Sequence, residues 1–120
     1  FRSLAQSIHG WLKPGGHFLF TQRHPLRTAN PTGETLNGDT AAWTVSAYFH
    51  CGKRRYNWLG QEISYFHRTM SDIFATVIEA GFTIREVAEP TPEHIERTAR
   101  IDENMSVPAV LLVLCQKPAL

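Results

Sequence analysis

The run Leu12-Lys13-Pro14-Gly15-Gly16-His17-Phe18-Leu19-Phe20 constrains this 120-residue chain more than any other stretch. It reads in order as a helix end, a tight turn and an apolar strand. Pro14 stops the helix, because its ring clashes with the preceding turn and it has no N–H to donate. Gly15 and Gly16 admit positive φ, so the chain can reverse at once. Upstream, Phe1, Leu4, Ile8, Trp11 and Leu12 share one helical face, which predicts an amphipathic helix over residues 1–12. Lys13 then sits by the negative end of that helix. Downstream, residues 17–22 read as a strand with Phe18 and Phe20 on one face and Leu19 on the other. That pattern suits a sheet covered on both sides.

The stretch that follows is less regular. Residues 25–42 hold Pro25, Pro31, Gly33 and Gly38 among Thr, Asn and Asp, and read as a loop. Residues 43–49 alternate, with Trp43, Val45, Ala47 and Phe49 on one face. A second candidate strand covers 61–67, with Ile63 and Tyr65 opposite Phe66. Cys51-Gly52-Lys53 and Leu59-Gly60 supply turns, so 43–67 is expected to be a small antiparallel insertion.

Thr69-Met70-Ser71-Asp72 has the form of a capping box and opens a helix with an apolar stripe of Ile73, Phe74, Val77 and Ile78. Gly81 ends it. Residues 82–88 read as a strand, with Phe82 and Ile84 packing on one side. Thr91-Pro92-Glu93 resembles another helix start, running to about Arg100. Residues 109–115 are apolar without a break, the mark of a strand buried on both faces. Three such strands need cover on two faces, and only two strongly amphipathic helices are at hand to supply it. The expectation is a sheet that continues into further structure.

Composition narrows the function classes. With 42% hydrophobic and 19% charged residues the chain is globular. A net charge of +1 gives no case for nucleic acid, and Lys53-Arg54-Arg55 reads as a solvated turn. No apolar run is long enough to cross a bilayer. Two cysteines make no disulfide framework, and no basic-then-apolar leader is visible, so a reduced, cytoplasmic setting is expected. Six histidines invite a metal, and His50-Cys51 and His67 can meet across two strands. None has the spacing of a closed zinc site, so no metal is expected.

Several stretches together resemble one family. Leu12-Lys13-Pro14-Gly15-Gly16 precedes the first strand and Arg23-His24-Pro25 follows it. Tyr65-Phe66-His67-Arg68-Thr69 leads into the helix that ends Ala80-Gly81-Phe82. Glu89-Pro90-Thr91-Pro92 follows the next strand, Val107-Pro108 opens the last, and Lys117 closes it. This ordered set is similar to the C-terminal half of a class I S-adenosylmethionine-dependent methyltransferase of the bacterial small-molecule type.

The resemblance implies an α/β fold: a partial Rossmann-like sheet with strands at about 17–22, 82–88 and 109–116. The last would run antiparallel between the other two. Residues 1–120 would then be the C-terminal part of a single methyltransferase domain, with 26–68 an insertion or lid within it. The family's glycine-rich cofactor loop and the acidic residue that holds the ribose have no counterpart in this sequence, and no G-x-G-x-x-G occurs. S-adenosylmethionine is therefore expected as the cofactor of a longer parent, with no cofactor-binding residue in this chain. The chain alone is expected to be inactive and to self-associate.

In open α/β sheets ligands bind beyond the carboxyl ends of the parallel strands. His24 lies just past such an end, as a general base facing a small-molecule methyl acceptor or as a cap on backbone groups before Pro25. Trp58, Tyr65 and His67 would wall the acceptor pocket, or form an aromatic cluster beneath a lid. Arg68 would anchor an anionic acceptor, or pair with Asp72 or Glu89. Glu89 would touch the acceptor, or sit in a surface turn. The function implied is methyl transfer, with this chain on the acceptor side. A non-catalytic interaction module that keeps the sheet is the alternative. The coding sequence upstream of Phe1 separates the two.

Overall fold

The computed structural model describes residues 1–30, 34–37, 40–91 and 107–119. Its elements are α1 (Arg2–Trp11), β1 (His17–Arg23), α2 (Pro25–Ala29), β2 (Glu34–Asn37) and β3 (Thr40–Trp43). They continue with β4 (Gly52–Trp58), β5 (Gln61–His67), α3 (Met70–Glu79), β6 (Thr83–Ala88) and β7 (Val110–Gln116). The helix expected from Pro92 to Arg100 lies outside the described residues.

The main sheet has the order β1-β7-β6. β7 runs antiparallel to both neighbours, pairing Phe18 with Cys115 on one side and Ile84 with Cys115 on the other. β1 and β6 are thus parallel to each other. The central place of β7 follows from its composition, since a middle strand is covered by neighbours along both edges. Leu111, Val113 and Cys115 are buried beneath α1 and α3, with Ile73, Val77 and Phe82 completing the core. Each such aliphatic side chain contributes about 1.5–3 kcal/mol by leaving water.

The proline–glycine turn does more than reverse the chain. Gly15 stands at φ +83°, and a Cβ on Gly16 would lie 2.9 Å from the Lys13 carbonyl. The Gly15 N–H donates to the Lys117 carbonyl and the Gly16 N–H to that of Lys13. The Lys117 ammonium then reaches back to the carbonyls of His9 and Leu12, at 2.8 and 2.9 Å. A cation from the end of β7 thereby satisfies the carbonyl end of α1.

Four local expectations need correction. The 25–42 stretch is not a continuous loop: it contains α2, whose Pro25 occupies a first-turn position where a missing N–H is no loss, and the β2–β3 hairpin. The 43–49 strand stops at Trp43. Ala47 takes φ +50° and Phe49 is 87% exposed, so the inward residue of this segment is Tyr48, on the opposite parity. The strand that pairs with β5 is β4, where a turn was expected at Cys51-Gly52-Lys53. Finally, the α1 and α3 stripes are narrower than read. Leu4, Trp11 and Ile78 are exposed, and Ala5 takes the buried place on α1.

Candidate functional site

Two side chains meet at the carboxyl ends of the parallel strands. β1 ends at Arg23, and the next residue, His24, turns the chain into α2. Its backbone N–H donates to the Ala109 carbonyl at 3.0 Å, which ties this corner to the start of β7. Its imidazole is fully buried. Nδ1 accepts from the Leu26 N–H at 3.2 Å, so it carries no proton and caps α2. The ring proton therefore lies on Nε2, where it is donated to the Glu89 carboxylate. Glu89 follows β6, and its side chain stays 45% exposed. The cap expected of His24 is present, and the same ring also holds Glu89.

The corner is closed from the side by Arg27. Its guanidinium donates to the carbonyls of Pro108 and Val107, both at 3.3 Å, and lies over the Trp43 ring at 4.6 Å. The Trp43 indole N–H donates in turn to the Leu26 carbonyl at 2.9 Å. Sequence reading did not single out Arg27 or Trp43 for this site. A cation four residues after a strand carries no signal of the carbonyls it will find.

His67 lies in a second buried cluster. Its Nε2 faces the Tyr48 carbonyl at 2.6 Å, which can only accept, so Nε2 bears the proton. Nδ1 then accepts from the Thr28 hydroxyl at 2.7 Å. Burial pushes the His67 pKa below its ordinary value and the nearby Arg54 charge acts the same way, while the Tyr48 carbonyl opposes them. Arg54 donates to the carbonyls of Ala29, Ala47 and His50. The Tyr48 hydroxyl accepts from the Met70 N–H at 3.0 Å, at the start of α3. These bonds pin the β4–β5 hairpin to α2 and to α3. Thr28 and Tyr48 escaped the sequence reading, and Arg54, read there as part of a solvated turn, is half-buried among carbonyls.

The remaining candidates are dispersed. Tyr65 shares the inner face of β5 with His67 and packs edge-on against Tyr56, with ring centroids 5.4 Å apart. Trp58 pairs with Gln61 at the turn end of the hairpin, six residues along β4 from Gly52, which pairs with His67. Trp58 and His67 are therefore not brought together. Arg68 stands 3.9 Å from Asp72 and lies over the Phe1 and Phe66 rings. Cys51 is exposed and Cys115 buried, where burial pushes its thiol pKa up. No group of three metal-binding side chains occurs among the described residues.

A sheet in which an antiparallel strand lies between two parallel ones, with a helix-to-strand turn of Lys-Pro-Gly-Gly, defines a class. The chain has the fold of the C-terminal half of a class I S-adenosylmethionine-dependent methyltransferase. An S-adenosylmethionine-dependent methyltransferase of Mesorhizobium loti superposes with a TM-score of 0.78 and 31% identity, over 96% of this chain and 54% of that one. A protein of Listeria monocytogenes, assigned provisionally to the same activity, superposes with a TM-score of 0.78 and 28% identity, over 98% of this chain and 54% of that one. A curated Haemophilus influenzae protein of unassigned function is 33% identical over 94 residues, covering 75% of this chain and 37% of its own length. No protein-family model matches the sequence. The chain thus spans about half the length of the solved structures it matches, and less of the curated relative.

Gly15 and Gly16 do not form a cradle that S-adenosylmethionine fits. The glycine pair that most resembles a cofactor cradle already has both amides engaged by the carbonyls of Lys13 and Lys117. No helix among the described residues is long and apolar enough to cross a membrane.

Proposed function

We propose that this chain is the acceptor-side part of an enzyme that transfers a methyl group from S-adenosylmethionine to a small molecule. The observation that carries this reading is the β1-β7-β6 order with β7 antiparallel, together with superposition on methyltransferases at 28–31% identity. The His24–Glu89 pair stands beyond the carboxyl ends of β1 and β6, where sheets of this type bind ligands. Residues 26–68 serve as the cover of that end, with Tyr65 and Trp58 on the cover and Arg68 paired with Asp72 beside it. The cofactor belongs to the other half of the sheet and supplies the methyl group. This half supplies the shape and polarity that receive the acceptor.

The test uses the natural full-length protein with radiolabelled S-adenosylmethionine and a panel of small amines, phenols, alcohols and carboxylic acids. Transfer of label to one or more of them is expected. A protein that binds no S-adenosylmethionine and labels nothing contradicts the reading.

A further inference from the structure

We propose that Glu89, held by His24, recognises the methyl acceptor, and that the acceptor presents a proton on nitrogen or oxygen to it. This rests on the methyl-transfer reading above. A neutral imidazole has one lone pair and one N–H to offer. In His24 the lone pair takes the Leu26 N–H and the N–H goes to Glu89, and the ring is fully buried. Nothing remains on the ring for a ligand. A proton placed on Nδ1 would face the Leu26 N–H head-on. His24 is therefore a positioning residue and not the base.

Glu89 has what His24 lacks. One of its oxygens accepts from His24, and among the described residues it has no other hydrogen-bond partner. Its side chain is half-exposed at the end of β6, across the start of β7 from the end of β1. The pair has acceptor sites to present and no proton to give. An ammonium, amine or hydroxyl group satisfies such a site, whereas a carboxylate or phosphate would set like charge against it. When the acceptor sheds its proton, the N–H or O–H bond breaks with its electron pair left on the acceptor. The proton passes to the Glu89 carboxylate and from there to water.

The choice of a histidine at this cap fits the assignment. A helix N-cap needs only an acceptor, which a short Ser, Thr or Asn provides. The longer ring also reaches Glu89. If the pair merely tied the sheet edge together, Glu89→Gln would be silent, because the glutamine carbonyl still accepts from Nε2. If Glu89 receives the acceptor, the same variant removes its charge and can set an amide donor against the ligand.

The experiment uses the full-length protein with S-adenosylhomocysteine as the cofactor-site probe and ¹⁵N-histidine labelling. His24 is expected to carry its proton on Nε2 with bare Nδ1, and a His24 protonated at Nδ1 overturns the proposal. Methyl transfer is expected to amines or hydroxyls and not to matched carboxylates. Glu89→Gln should lower turnover on the order of 100-fold, with melting temperature and S-adenosylhomocysteine affinity unchanged. His24→Asn keeps the cap but cannot reach Glu89, so it should raise KM and lose less turnover than Glu89→Gln. Wild-type turnover in Glu89→Gln, or efficient methylation of a carboxylate, overturns the proposal and leaves the methyl-transfer reading standing. Failure of the wild-type protein to bind S-adenosylhomocysteine removes that reading, and the proposal with it.

Discussion

His67 is the residue whose protonation most directly reports on the fold. Folded, it is buried against Thr28, Tyr48 and Arg54, and desolvation holds its pKa below the ordinary 6.5. The unfolded chain titrates near 6.5. Between the two values the unfolded state binds a proton that the folded state does not, so stability rises with pH across that window. Stability from His67 is fully present above 6.5 and declines as pH falls toward the folded value. Urea midpoints measured from about pH 8 down to about pH 5 should fall, and His67→Gln should show a shallower fall. Equal slopes in the two proteins would contradict the buried, neutral assignment. At this scale the sequence marked candidate residues and left their roles open. His24, His67 and Glu89 were visible as polar groups near strand ends. Which nitrogen meets which partner depends on contacts between residues as far apart as 24 and 89, and no local pattern encodes them.

Among the elements, local signals were legible where propensity and packing agree. The Pro14-Gly15-Gly16 turn, the Thr69 cap and the unbroken apolar run of β7 all appear where the sequence placed them. β4 did not, and the reason is its pattern. It alternates Lys53, Arg55 and Asn57 outward with Arg54 and Tyr56 inward, so an inward-facing arginine hides the period of two. The β4–β5 turn provides a quantitative check. Leu59 and Gly60 both have positive φ, at 51° and 79°, as a type I′ turn requires. Leucine is disfavoured there by roughly 1 kcal/mol, and Leu59 is 79% exposed, so its replacement sacrifices little burial. Leu59→Asn should therefore stabilise the protein by about 1 kcal/mol in urea titration. A destabilised variant would mean that the Leu59 side chain has a packing partner outside these residues.

At the scale of the molecule, the described residues cover one face of the sheet and leave the other partly open. α1 and α3 pack over Leu111, Val113 and Cys115. On the reverse face Leu19 is 59% exposed, and Leu112 and Leu114 are only half-buried. The radius of gyration, 16.5 Å, exceeds the roughly 14 Å of a compact chain of this length. The sequence carries the same expectation, because its strands with apolar residues on both faces outnumber the amphipathic helices able to cover them. The position of the cofactor was not readable, since no G-x-G-x-x-G run occurs in the sequence to mark it. We expect the 120-residue chain, produced alone, to sediment as associated species through the reverse face and the open sheet edges. A stable monomer in sedimentation velocity would contradict that.

The most direct measurement is calorimetric titration of S-adenosylmethionine into the natural full-length protein and, separately, into the 120-residue chain. If these residues form the acceptor-side half of a methyltransferase, the full-length protein binds with a saturating isotherm and the isolated chain gives no binding heat. Saturable binding by the isolated chain, or none by the full-length protein, would contradict it.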